Sequence, residues 1–172
     1  MEETKLLQQF NMIRGGDMKA FAAVYEAYKR PVYTLLLQML PPSAAEDVMQ
    51  DVFLSILRMP PKAEIKNPKA WLYRVARNRA VDALRKRQSL PLSEELPAAG
   101  IPFEQDTADR LDLARAMETL SAEERALLSL RFTAMLTLRE TAEVMELSLP
   151  TAFRRQHKAL CTLREILNGG TE

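Results

Sequence analysis

The stretch "WLYRVARNRAVDALRKRQ", residues 71–88, sets six arginines and lysines against one aspartate. Arg74, Asn78, Asp82 and Arg85 are spaced four, four and three apart, so on a helix they share one side. Arg77, Lys86 and Arg87 widen that polar surface. Leu72, Val75, Ala76, Ala83 and Leu84 fall broadly on the opposite side and can join a core. Guanidinium forks clasp phosphates, and an asparagine amide can read base edges. Trp71, the only tryptophan, offers at the helix start a plane on which an unstacked base could rest. The plain alternative is a solvated helix in which Arg–Asp spacing adds ~0.3–0.5 kcal/mol per pair and the tryptophan belongs to the core. A nucleic-acid reading therefore needs an independent second signal.

"TLRETAEVMELSLPTAFRRQHKAL", residues 137–160, supplies one. A short helix from about Leu138 to Met145 is followed by the turn Glu146-Leu147-Ser148 and a second helix. Ala142 is small enough for a close helix crossing, and Met145 and Leu147 can fill the space between the two helices. Ser148 caps the second helix, whose first turns expose Thr151, Arg154, Arg155 and Lys158, with His157 among them. A recognition helix enters the major groove by its N-terminal part, where its dipole also favours phosphate. An ordinary helical hairpin is the competing reading. His157, the only histidine, has no nearby cluster of acids or cysteines, so a surface or phosphate contact suits it better than a ligand or base.

The elements that must position these residues are helical. The chain has 172 residues, 47% hydrophobic and 27% charged, and only five glycines. That is a globular composition with room for one domain or two small ones. A formal charge of +1 conceals segregation: residues 71–88 sum to +5, whereas residues 88–109 hold five acids and no base. Asp17 precedes a run with helical spacing that continues in phase through Pro31, as a kink rather than an end. Ser43 with Glu46, Ser121 with Glu124 and Thr137 with Glu140 form capping boxes, and Asn67 caps a helix with Pro68 at its first position. Residues 89–109, rich in proline and acids, break every pattern and read as a linker. The fold expected is all-α: a helical domain over residues 1–88, the linker, and a second helical domain over 110–172 that contains the helix–turn–helix. One cysteine, Cys161, excludes an internal disulfide framework and suits a reducing cytosol. It falls on the apolar phase of its helix, as a small buried hydrophobe would. The acidic N-terminus is no signal peptide, and no apolar run is long enough to span a membrane. No glycine-rich phosphate loop, metal-ligand cluster or nucleophile–base constellation is found, so neither an enzyme nor a cofactor is implied.

At this level the residues resemble a known family. "AFAAVYEAYKRPVYTLLLQML", "AEDVMQDVFLSIL" and "AWLYRVARNRAVDALRKR" stand in the order and spacing of the −10 promoter domain of bacterial RNA polymerase sigma factors. The segment from Met117 to Leu167 looks like the −35 domain, and the two-domain chain resembles the extracytoplasmic-function (ECF) subfamily. The resemblance implies that Asp47, Gln50 and Asp51 face the β′ clamp helices of core RNA polymerase, with Val48, Val52 and Phe53 turned to the core. It implies that Trp71, Arg74, Arg77, Asn78, Asp82, Arg85 and Lys86 serve the −10 element. Ser148, Thr151, Arg154, Arg155, His157 and Lys158 would serve the −35 element. The loop "RMPPKAEIKNPK" would capture a base flipped from the duplex, and the linker would thread toward the RNA-exit path. Core polymerase, promoter DNA and an anti-sigma factor are the partners implied. Glu146 and Thr141 depart from the family pattern, as do Gln156, where an apolar residue is usual, and Ala152, for which an inward turn of Phe153 would compensate. A stand-alone helix–turn–helix regulator is the competing function, and a relative that binds polymerase but not promoters is a further one. Dependence on core polymerase separates the first two.

Overall fold

A computed structural model describes residues 1–62, 64–89 and 108–169. Four helices form the first half: α1 (Glu3–Arg14), α2 (Met18–Leu37), α3 (Pro42–Arg58) and α4 (Pro68–Gln88). Four follow in the second: α5 (Ala108–Glu118), α6 (Ala122–Leu128), α7 (Leu138–Met145) and α8 (Leu149–Gly169). A π-helical turn, Ser129–Thr133, extends α6. No strand occurs among the described residues. Most of the span read as a linker lies outside the described residues, though α5 already begins at Ala108, inside its last two positions.

The helix starts follow local chemistry. The Asp17 carboxylate accepts from the backbone N–H groups of Lys19 and Ala20 at 2.8 and 3.1 Å. Asn67 accepts from Ala70 at 2.8 Å with Pro68 next to it. Ser121 with Glu124 and Thr137 with Glu140 are both reciprocal capping boxes. The expected box at Ser43 and Glu46 is not formed. There the helix begins earlier, at Pro42, with extended Pro41 as its N-cap and no side-chain cap bond. Proline at the first position carries the right φ already and has no N–H to satisfy, so the chain turns helical before Ser43. Pro31 leaves α2 continuous. Helix α1 has no signal as clear as these. It buries Leu6, Phe10 and Ile13, a narrow stripe in an otherwise polar sequence.

Helix α4 packs against α1, α2 and α3 and also against α7 of the second half. Leu72, Tyr73, Ala76 and Ala80 are among its buried residues. The two alanines let neighbouring backbones approach, while Tyr73 meets Tyr28 edge to face, ring centroids 6.4 Å apart. Burial pushes the Tyr73 phenol well above its ordinary range. Trp71 meets Phe10 edge-on at 5.6 Å, which fixes the start of α4 on α1. In the second half Leu120, Leu127, Leu130, Leu136, Val144 and Leu163 are buried together.

The two sides of α4 should respond differently to truncation. Leu72→Ala removes a fully buried side chain and is expected to cost about 2–5 kcal/mol in urea unfolding. Arg85→Ala, on the exposed side, should change stability by no more than about 0.5 kcal/mol. Similar costs for the two would contradict this division of the helix.

Candidate nucleic-acid interface

The polar side of α4 carries the predicted residues in two states. Asn78, Asp82, Arg85 and Lys86 are exposed. Arg74 and Arg77 face the turn of the second half, where Glu146 stands 3.9 Å from Arg74 and 3.6 Å from Arg77. The Arg77 side chain is only 14% exposed, and its Nε has no hydrogen-bond partner among the described residues. Trp71 is half-buried against Phe10, so its ring belongs in part to the core. Two more polar contacts tie the halves. Asn67 Nδ2 donates to Glu140 Oε1, and the buried Arg125 donates to the carbonyl of Leu120 at 2.7 Å and that of Gln38 at 3.3 Å. Met39, Val81, Leu84, Ala126 and Met145 line a cleft of about 350 Å³ beside this seam.

The helix–turn–helix is present as α7, the turn and α8. Glu146 occupies a left-handed conformation, φ 56° and ψ 40°, and its N–H closes the end of α7. Glycine is at ease in that region, whereas another residue there costs about 1–2 kcal/mol. Ala142 is buried at the helix crossing with Met145, while Leu147 is half-buried. Thr141 is fully buried, and its hydroxyl oxygen has no partner among the described residues.

The predicted residues of α8 form one charged surface with internal ties. Ser148 Oγ accepts from the Thr151 N–H at 3.3 Å and donates to Thr151 Oγ1 at 2.8 Å. Arg154 donates to that same hydroxyl at 3.3 Å. Arg155 is hydrogen-bonded to Glu123, and Lys158 lies 3.4 Å from Glu124, so both lean toward α6. His157 is exposed, as expected for a surface contact.

Three readings of α8 need correction or gain a cause. Phe153 does not turn inward: it is 56% exposed, because Ala152 alone takes the inward position at full burial. Gln156, polar where an apolar residue was expected, accepts from Arg131 Nε at 2.7 Å, and Arg131 also binds the Leu136 carbonyl. Cys161 is only half-buried, with its sulfur 3.8 Å from His157 Nδ1. Its position sits at the edge of the apolar stripe rather than in it.

Helix α3 presents Asp47, Gln50 and Asp51 to solvent, while Val48, Val52 and Phe53 are buried behind them. The face is a small acidic and amide surface on a rigid helix. In the loop between α3 and α4, Met59 is exposed and the Pro61 carbonyl is held by Arg14. None of the described helices is long and apolar enough to cross a membrane.

The fold and its two basic faces are those of a two-domain, helix–turn–helix transcription protein. The chain matches the sigma-70 region 2 family over residues 24–90 and the sigma-70 region 4 family over residues 116–165. It is 33% identical over 162 residues to an ECF RNA polymerase sigma factor RpoE of Cereibacter sphaeroides, covering 87% of each chain. It is 25% identical over 184 residues to ECF RNA polymerase sigma factor SigW of Bacillus subtilis, covering 96% of this chain and 98% of that one. Its fold is similar to that of a sigma factor RpoE in complex with the anti-sigma factor NepR from Bartonella quintana. That likeness has a TM-score of 0.71 at 23% identity, over 87% of this chain and 98% of the other. The chain belongs to the ECF sigma factor family.

Two responses follow from these contacts. The N–H of Ser121 holds the Glu124 carboxyl below its ordinary range, with burial opposing and Lys158 assisting. Burial works against ionisation of Glu140 too, but the bonds from Thr137 and Asn67 and the charge of Lys69 together outweigh it. Both folded-state values are depressed, so their stabilisation is complete above the ordinary value of about 4.5 and is lost as pH falls through the lower folded values. Acid unfolding followed by circular dichroism should therefore show a shallower loss of stability in this range for Glu140→Ala. An acid limb identical to that of the native chain would contradict it. Glu146→Lys, which keeps the backbone strain and reverses the charge, should weaken domain closure by about 1 kcal/mol, a roughly fivefold shift toward separation. Energy transfer between labels on α1 and α5 should fall accordingly; an unchanged signal would show that the pairing contributes nothing.

Proposed function

We propose that the chain is a specificity subunit of RNA polymerase, which it recruits, directs to promoters of two elements and helps to melt DNA. Residues 1–88 form the polymerase-binding and −10 domain, residues 89–109 the linker, and residues 110–172 the −35 domain. The observation that carries this reading is the split of chemistry between adjacent helices. Within the segment that matches sigma-70 region 2, α3 exposes Asp47, Gln50 and Asp51, and α4 exposes Asn78, Asp82, Arg85 and Lys86. An acidic and amide face suits a basic coiled coil such as the β′ clamp helices. The adjoining face suits single-stranded promoter DNA, with amide and guanidinium groups for base edges and phosphates. Helix α8 brings Ser148, Thr151, Arg154, Arg155, His157 and Lys158 to the upstream duplex.

The role is non-enzymatic and cytoplasmic, with core polymerase and promoter DNA as partners. An anti-sigma factor is a natural further partner, as in the complex of RpoE with NepR. Arg77, largely covered and paired with Glu146, would reach phosphates only after α7 leaves α4, whereas Arg74 is already more than half exposed.

Purified chain should bind sigma-free core RNA polymerase, and Asp51→Arg should reduce that affinity at least tenfold by placing a cation against a basic partner. Asn78→Ala and Arg85→Ala should keep core binding and lower open-complex formation by roughly tenfold each, measured by permanganate reactivity of unpaired thymines. A folded chain that binds promoter duplex but not core polymerase would favour the stand-alone regulator instead. Loss of core binding in the α4 variants, with DNA contacts kept, would reverse the roles of the two helices.

A further inference from the structure

Helix α8 carries an apolar element inside its cationic surface. Phe153 is 56% exposed and Leu149 41% exposed, and with Leu138 and Pro150 they line an open cleft of about 560 Å³. The remaining residues around that cleft are Arg139 and Arg154, and no acid lines it. Phe153 is also braced: the His157 ring stacks on it one turn further on, centroids 6.3 Å apart and 26° between planes. The ring therefore stands at a fixed place in the first turns of the second helix of the helix–turn–helix, beside Arg154 and the Ser148–Thr151 cap.

We propose that Phe153 is a specificity-determining residue that reads thymine 5-methyl groups in the major groove of the upstream promoter element. This rests on the reading of α8 as the −35 helix. A phenyl ring has no donor or acceptor, so among major-groove features it can distinguish only the methyl of thymine, the one apolar group on a base edge. The flanking arginines have the charge complement for phosphates on either side of the groove, and they disfavour a basic partner at this patch. A polar residue at this place would read a donor or an acceptor. Phenylalanine instead makes the site select for T at the step it covers, with nearby cations supplying affinity that does not depend on sequence.

Burying one methyl contributes a free energy that corresponds to roughly a fourfold change in affinity. The test uses the full chain with core polymerase and a promoter selected from a library randomised upstream of the start site. Each thymidine of the selected −35 element is replaced in turn by deoxyuridine, which deletes the methyl and keeps every hydrogen-bonding group. The native holoenzyme should lose about fourfold in affinity at one or two positions, and Phe153→Ala should show no loss on those same substitutions. Phe153 is exposed, so the alanine variant should keep its thermal midpoint. Equal binding of thymidine and deoxyuridine duplexes by the native chain, with Arg154→Ala still weakening binding, would overturn the proposal and leave the −35 reading standing. If neither Arg154→Ala nor replacement of the whole upstream element affects binding, both fall. A Phe153→Ala variant that keeps its preference for thymidine but loses affinity for core polymerase would identify the patch as a protein-docking surface, which also overturns the proposal.

Discussion

Burial of one side of α4 is the constraint on which the rest depends. Leu72, Tyr73, Ala76 and Ala80 are lodged among α1, α2 and α3, and close approach is open only because two of the four are alanines. A helix fixed on that side has no freedom to rotate, so Asn78, Asp82, Arg85 and Lys86 are held exposed. The same logic operates in α3, where Val48, Val52 and Phe53 determine where Asp47, Gln50 and Asp51 point. Packing energy, a few kcal/mol per large side chain, sets the geometry. The charged residues of both faces are then displayed at little cost to folding.

The contact between the halves is of a different kind. Besides the buried Arg125, which spans from the Leu120 carbonyl to that of Gln38, its polar ties include the largely buried Arg77 with Glu146, the part-buried Asn67 with Glu140, and the exposed Arg74 with Glu146. Exposed pairs contribute about 0–1 kcal/mol each and weaken with salt. Apolar burial along the α4–α7 seam supplies the rest of the contact. A partner displaces it only by offering stronger contacts to either surface, the shift being the difference in affinity for closed and open forms. On the proposed function, polyanionic DNA would compete with Glu146 for Arg74 and Arg77.

Legibility in the sequence followed the range of the interaction. Caps at Asp17, Asn67, Ser121 and Thr137 depend on partners two or three residues away, and all four were readable. Ser43 was misleading because a neighbouring proline started the helix first. Helix α1 carries little periodic signal in its sequence, since only three of its twelve residues are buried. The face of α3 came from the resemblance of its segment to the family, whereas that of α4 was legible from spacing alone. Which of the basic residues would be covered was not, because Glu146 and Arg77 lie far apart in the chain and meet only through α7. The oddity of glutamate at a turn position that favours glycine was the one visible hint. Phe153 shows the opposite limit: burial of Ala152 decides its orientation, and an alanine gives the sequence reader no indication of how tightly it is packed.

The most direct measurement is transcription in vitro from a pool of genomic DNA fragments, with core RNA polymerase alone and with the chain added, mapping the 5′ ends of the RNA. The account predicts discrete start sites that appear only with the chain and share two upstream sequence elements at a fixed spacing. Start sites identical with and without the chain would contradict it.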